Sequence, residues 1–239
     1  MQFLRRSKVD ISLYKMKKTI IGLSCAAVIG VQPINQPVEA LFHFGHAEIA
    51  GIELRYEKAL TEAEEVIAKA ETEPEYRQEY KGKVIAAQAL TWRGVSYLPG
   101  TPAMCASWVR HVLEKEGITL ADVPVDKGGS NPQRPGSLGP LMADSFFSPE
   151  AGTIILDPKY LTFGDIVMFS NTYNGGGRYL NGGKITHVGI IVSDCTQGGE
   201  CMMVDRPTKN GPVKYRSIST FKFNSALRPH IYSQPSSNP

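Results

Sequence analysis

Cysteine is scarce in this chain, four residues among 239, and no apolar run is long enough to cross a membrane. The candidate run, residues 19–31, covers about 13 residues, whereas a spanning helix needs about 20. No basic stripe with interleaved aromatics is present, so the net charge of +3 does not point to nucleic acid. Residues 1–40 hold six basic side chains against Asp10 and Glu39, a surplus of +4, which leaves the remainder at −1. No Cys/His spacing resembles a zinc site. There is no internal repeat and no second globular domain. What remains is ordinary apolar content, enough for one fair-sized core plus a targeting segment.

The N-terminus reads as a cleaved export signal over residues 1–40. Met16-Lys17-Lys18 precedes the apolar run, and Val38-Glu39-Ala40 offers a small-residue cleavage site. Met16 competes with Met1 as the true start. A lipid anchor on Cys25 is disfavoured, because Gly22-Leu23-Ser24-Cys25 lacks the usual Leu three positions before the Cys. Cleavage leaves Cys105, Cys195 and Cys201, an odd number. Cys195 and Cys201 flank a short polar loop between two strand-like runs, so a hairpin disulfide is expected in an oxidising compartment. Cys105 is then left free.

Cys105 stands in Thr101-Pro102-Ala103-Met104-Cys105-Ala106-Ser107-Trp108. Thr101 suits a helix N-cap and Pro102 the first helical position. That puts Cys105 in the first turn, where unpaired amide N–H groups and the positive end of the helix dipole favour a thiolate. Reactive cysteines need this setting, and so the residue is a candidate nucleophile. The plainer reading is a buried structural thiol.

Apolar residues at helical spacing predict an amphipathic helix over residues 47–71, within an N-terminal helical segment 41–75. It packs on its own domain or docks an inhibitor or targeting partner. A second helix is expected over residues 74–92. A third, residues 102–116, stops at Gly117, with Cys105, Trp108, Val109, Val112 and Leu113 on one face. Residues 119–160, rich in Gly, Pro and Ser, read as a long covering loop with one short helix near 140–147. Strands are expected at 165–170, 185–193, 202–206, 213–218 and 226–232. Residues 171–184, with five glycines, read as an insertion, and residues 233–239 as a disordered tail. Helices first and strands second predict an α+β fold, helices packed on one antiparallel sheet.

A thiolate needs a base, and the base needs an orienting partner. His43 and His46 have no motif around them, His111 reads as a surface residue, and His230 falls in the last strand. His187 differs. It opens Thr186-His187-Val188-Gly189-Ile190-Ile191-Val192, an apolar strand in which Gly189 leaves space on the same face.

Four segments in order resemble the NlpC-type cell-wall cysteine peptidases, a papain-like α+β family related to the CHAP amidohydrolases. They are Gly94-Val95-Ser96-Tyr97; Cys105 with Trp108-Val109 and Gly117-Ile118; Phe163-Gly164-Asp165 leading into a strand; and Thr186-His187-Val188-Gly189-Ile190. The resemblance spans roughly residues 80–232 and implies a papain-like hydrolase domain over residues 76–232. It implies Cys105 as nucleophile and His187 as base and then acid, with the Cys105 N–H and the Tyr97 hydroxyl around the oxyanion. No metal or cofactor is implied. On the strand after the His strand, Asp205 is the natural third member, with Asn210 as the alternative. If Cys195 faces Cys201, Asp205 falls opposite Ile191, too far from His187 to bond. A two-residue shift sets it opposite Gly189, within diagonal reach.

The flanks of the nucleophile depart from the family pattern. Where many members have Asp-Cys-Ser-Gly, this chain has Met104 and Ala106. The missing acid weighs against a substrate with a free amine and tolerates an N-acylated peptide or a sugar-linked amide. The implied function is an exported hydrolase of peptidoglycan stem peptides. The alternatives are a papain-like amidase on a non-wall amide, toxin-like or a γ-glutamyl hydrolase, and a non-enzymatic binding module on this fold.

Overall fold

The structure, a computed structural model, describes residues 38–95, 104–118, 120, 142–173, 179–207 and 211–232, with side chains from residue 50 onward. The chain divides into two units, residues 1–44 and 45–239, and the sheet with its packed helices belongs to the second. Residues 1–37 of the expected export signal and the tail 233–239 lie outside the described residues.

Among the described residues, four α-helices precede the sheet: α1 Val38–Thr72, α2 Pro74–Glu79, α3 Lys81–Leu90 and α4 Cys105–Lys115. Along α1, Tyr56, Ala63 and Ala70 recur every seventh residue and are buried. This is the stripe that an amphipathic helix lays on a core. The Tyr56 hydroxyl donates to the Leu90 carbonyl at 3.4 Å, and its ring packs 5.4 Å from that of Tyr215. The Arg55–Glu200 pair at 2.6 Å and the Arg93–Glu53 pair flank the contact. The apolar face of α1 thus covers its own domain. Among the described residues, no helix is long and apolar enough to cross a membrane.

The single helix expected over residues 74–92 is broken at Tyr80 (φ −111°, ψ 34°) into α2 and α3. Two residues on, the Gly82 backbone passes so close to the loop before the strand Ile166–Ser170 that a Cβ on Gly82 would come 2.5 Å from the Phe163 carbonyl oxygen. The other half of this crossing is Gly164, at φ +82°, where a Cβ would meet Gly82 itself at 2.5 Å. Only glycine fits either side. The helix α4 ends as expected: Gly117 at φ +71° lets Ile118 N–H reach the Leu113 carbonyl and Gly117 N–H the Glu114 carbonyl, both at 3.0 Å.

The sheet has seven strands: β1 Gly152–Ile155, β2 Ile166–Ser170, β3 Tyr179–Leu180, β4 Gly183–Ile191, β5 Met202–Asp205, β6 Lys214–Ser217 and β7 Lys222–Pro229. The order is β1-β7-β2-β4-β5-β6, with β3 paired to β4, and every pairing is antiparallel. The α+β expectation therefore holds. Ile166, Met168, Val188, Ile190, Met202 and Val204 pack with the helices, while Val167, Phe169, Ile191 and Met203 fill a second cluster. Both faces of the central strands are buried, so they read as unbroken apolar runs rather than alternating ones. Burying Val109, Val112 and Leu113 of α4 against the first cluster stabilises by about 1.5–3 kcal/mol each.

Three expectations need correction. Within 119–160, the short helix expected near 140–147 is present as a 3-10 turn at Ala143–Phe146, but it is followed by the strand β1 and a second 3-10 turn at Pro158–Tyr160 where a loop was expected. Within 171–184, β3 and β4 form a hairpin whose two-residue turn, Asn181-Gly182, has the positive φ values such a turn requires. Asn224 anchors that hairpin by donating to the Leu180 carbonyl at 2.7 Å. The last strand lies earlier than expected and ends at Pro229, which has no N–H to continue a ladder. His230 therefore sits in a 3-10 turn and is exposed.

Candidate active site

The helix α4 begins at Cys105 itself. Met104 is the N-cap, extended at φ −120°, ψ 160°. Ser107 closes the start, its Oγ accepting from Met104 N–H at 3.2 Å and donating to the Met104 carbonyl at 3.0 Å. Thr101 is thus not the cap; it and Pro102 lie outside the described residues. Cys105 is free, buried at 8% exposure, and occupies the first helical position. No acidic residue stands in the first turn to compete for its open amide donors. Met104 is 43% exposed, whereas Ala106 is turned into the core.

His187 lies in β4 opposite Phe169 of β2. Phe169 stacks on the imidazole with ring centres 6.1 Å apart, and Phe221 meets it edge-on at 5.1 Å. Its Nε2 is 2.6 Å from Asp205 Oδ2, and the Cys105 thiol is near enough to help raise its pKa. With Nε2 taken by the carboxylate, the ring nitrogen left for sulfur is Nδ1. Burial opposes the charged imidazole, but the hydrogen bonds and charges of Asp205 and Cys105 outweigh it and raise the pKa to about 9.

Asp205 is fully buried and stands opposite Gly189 in the β4–β5 ladder. This is the shifted register of the two that the sequence allows. The Cys195–Cys201 disulfide is nonetheless formed, with Cα atoms 5.0 Å apart. The two are compatible because a 3-10 turn at Cys195–Gln197, followed by Gly198 at φ +73°, takes Cys195 out of the ladder. Gly189 matters twice over: a Cβ there would lie 3.1 Å from the Asp205 Cβ and 3.0 Å from the Val204 carbonyl oxygen. Asn210 and Tyr97 lie outside the described residues.

Asp165 of the Gly-Asp motif has a structural job. It accepts from Thr162 N–H at 2.9 Å and takes Arg228 in a fork, Nε to Oδ1 at 2.8 Å and Nη2 to Oδ2 at 2.7 Å. The pair locks the start of β2 to β7. His111 is half-buried against the Trp92 ring at 5.3 Å, not a surface residue, and burial lowers its pKa.

Three residues at the site were not found from the sequence. Arg216 of β6 brings Nε to 3.1 Å from Asp205 Oδ1. Its geometry does not make a hydrogen bond, so the contact is an ion pair alone. Tyr173 comes just after β2, where Thr172 N–H donates to Thr186 Oγ1 at 2.8 Å, beside His187. Burial raises the pKa of the Tyr173 hydroxyl, and the charges of Cys105 and Asp144 add to the shift. The third, Asp144, is buried in the 3-10 turn Ala143–Phe146.

No family model and no curated protein matches the chain. Among solved structures, the crystal structure of the NlpC/p60 domain of the peptidoglycan hydrolase SagA overlaps 62% of this chain and 97% of that one, with 20% identity and a TM-score of 0.36. At that overlap the two chains share no more than a general likeness.

Proposed function

We propose that this protein is an exported cysteine hydrolase that cleaves amide bonds of peptidoglycan stem peptides through an acyl-enzyme. The observation that carries the reading is a buried imidazole bonded to a buried carboxylate, Nε2 to Oδ2 at 2.6 Å, with a free thiol at a helix start near enough to help raise the imidazole's pKa. A structural cysteine has no need of such partners, and a binding module has no need of all three.

In this mechanism the Cys105 thiolate attacks the scissile carbonyl carbon, and the C=O electron pair moves to oxygen. The Cys105 backbone N–H, open at the first helical position, donates to that oxyanion, with the Tyr97 hydroxyl as second donor by the family resemblance. His187, protonated up to about pH 9, gives its proton to the leaving nitrogen as the C–N bond breaks. A thioester remains. His187 then takes a proton from water, whose oxygen attacks the thioester, and collapse releases the acid and restores the thiolate–imidazolium pair. Asp205 orients the ring and supports its charge throughout. The exposed Met104 beside the nucleophile, where an acid would grip an amine, fits an amide without a free neighbouring amine.

The test is mass analysis of the products from purified peptidoglycan incubated with wild type and Cys105→Ala. Wild type is expected to release defined muropeptides and the variant none; equal release by both overturns the reading. Export is checked separately. The exported chain is expected to begin near Leu41, and an acylated chain beginning at Cys25 would mean a lipoprotein instead.

A further inference from the structure

Arg216 lies on β6 in register with Met203, diagonally across from Asp205. Its guanidinium sits 5.2 Å over the Phe221 ring, the ring that also packs edge-on to His187. Nε and Nη2 are buried with no hydrogen-bond partner among the described residues, and Asp205 Oδ1 is likewise unpartnered. One buried carboxylate thus stands between two cationic groups, His187 at 2.6 Å on Oδ2 and Arg216 at 3.1 Å on Oδ1.

We propose that Arg216 is a positioning residue for the hydrolase site: its guanidinium gives the Asp205 carboxylate a second counter-charge and offsets part of that carboxylate's pull on the His187 proton, so that the imidazolium can surrender it to a leaving group. This rests on the reading of Cys105, His187 and Asp205 as a hydrolytic site. A buried carboxylate whose sole counter-charge is an imidazolium retains that proton tightly, because losing it strands an uncompensated buried anion. A second cation on the other oxygen removes that penalty. The remaining groups do not replace it. Lys214 pairs with Asp205 across the ladder but is exposed, and Arg206 turns to the Gly211 and Val95 carbonyls. Phe169 and Phe221 bring no charge, while the other charge that acts on the imidazole is that of Cys105, which with Asp144 also acts on Tyr173.

The experiment tracks the His187 ring nitrogens by NMR across pH 5–11 in the full chain, for wild type, Arg216→Met, Arg216→Gln, Arg216→Lys and the control Lys214→Met. The uncharged variants are expected to raise the His187 midpoint by about one pH unit, roughly a tenfold tighter hold on the proton. Arg216→Lys should restore the wild-type midpoint and Lys214→Met should leave it unmoved. An unmoved or lowered midpoint in whichever of the Met and Gln variants stays folded overturns the proposal, as does a Lys variant that behaves like them. Muropeptide release by the wild type is scored separately. A shifted midpoint without release would sink the hydrolase reading alone, whereas release with an unmoved midpoint would sink the role of Arg216 alone.

Discussion

Gly189 stands directly opposite Asp205 on the neighbouring strand, and its lack of a side chain lets the carboxylate settle beside His187, two residues along β4. The contact between His187 and Asp205 is diagonal across the ladder, so anything that lifts Asp205 off β4 lengthens it. Glycine in an otherwise apolar strand is here a condition of the site's geometry.

Gly189→Ala tests that dependence. The added methyl has 3.1 Å to the Asp205 Cβ and 3.0 Å to a carbonyl oxygen, so the β4–β5 pair must give way. The expected cost is about 1–3 kcal/mol of stability from overpacking. Activity is expected to fall by a larger factor than that of a control alanine-to-valine change elsewhere in the core. Equal kcat in wild type and Gly189→Ala would show that Asp205 tolerates displacement.

Asp205→Asn keeps the shape and removes the charge. An amide oxygen does not support the imidazolium and allows the wrong tautomer, so kcat should drop by on the order of 10³–10⁴. The His187 midpoint should also fall below about 9, since Asp205 is one of the two groups that raise it. Chemical-shift titration of the ring, alongside muropeptide assays, reads both effects.

The same shift sets the pH dependence. His187 is raised from 6.5 to about 9 in the folded chain. A group with a raised folded pKa contributes stability that is fully present below about pH 6.5 and is lost as the pH rises through about 9. Denaturant unfolding should therefore show a decline over that window, absent in Cys105→Ala/His187→Gln. Hydrolysis should fall on its alkaline limb near pH 9, as the general acid loses its proton.

Arg228→Ala separates framework from chemistry. It leaves Asp165 buried with its Thr162 bond but without its counter-charge. Because Arg228 is itself partly exposed, the cost falls at the lower end of the range for breaking a buried pair, about 3 kcal/mol. A lower thermal midpoint with an unchanged His187 titration is expected. A change in the titration would tie the β2–β7 lock to the site.

Local signals made much of this protein legible from its sequence. The face of α4, its Gly117 stop and the apolar strands around His187 all depend on residues near one another in the chain, and each took its expected place. The Asn181-Gly182 turn was equally local but was obscured by the run of glycines before it. The short strand β1 was hidden in a Pro- and Gly-rich stretch, because an edge strand of four residues is defined by its partner β7 rather than by its own pattern.

Register was a different matter. The sequence by itself determined a free cysteine at a helix start, a histidine in a buried strand and an acid on the next strand. It left open whether the acid faced Gly189 or Ile191, because spacing between two cysteines cannot reveal a 3-10 turn that takes one of them out of the ladder. Only the tertiary structure decided that Asp205 meets His187, that Asp165 belongs to the framework through Arg228, and that Arg216 stands behind the carboxylate. Those pairings join residues up to 63 positions apart. They are set by how two apolar clusters pack against the faces of one sheet, and packing at that range leaves no local trace.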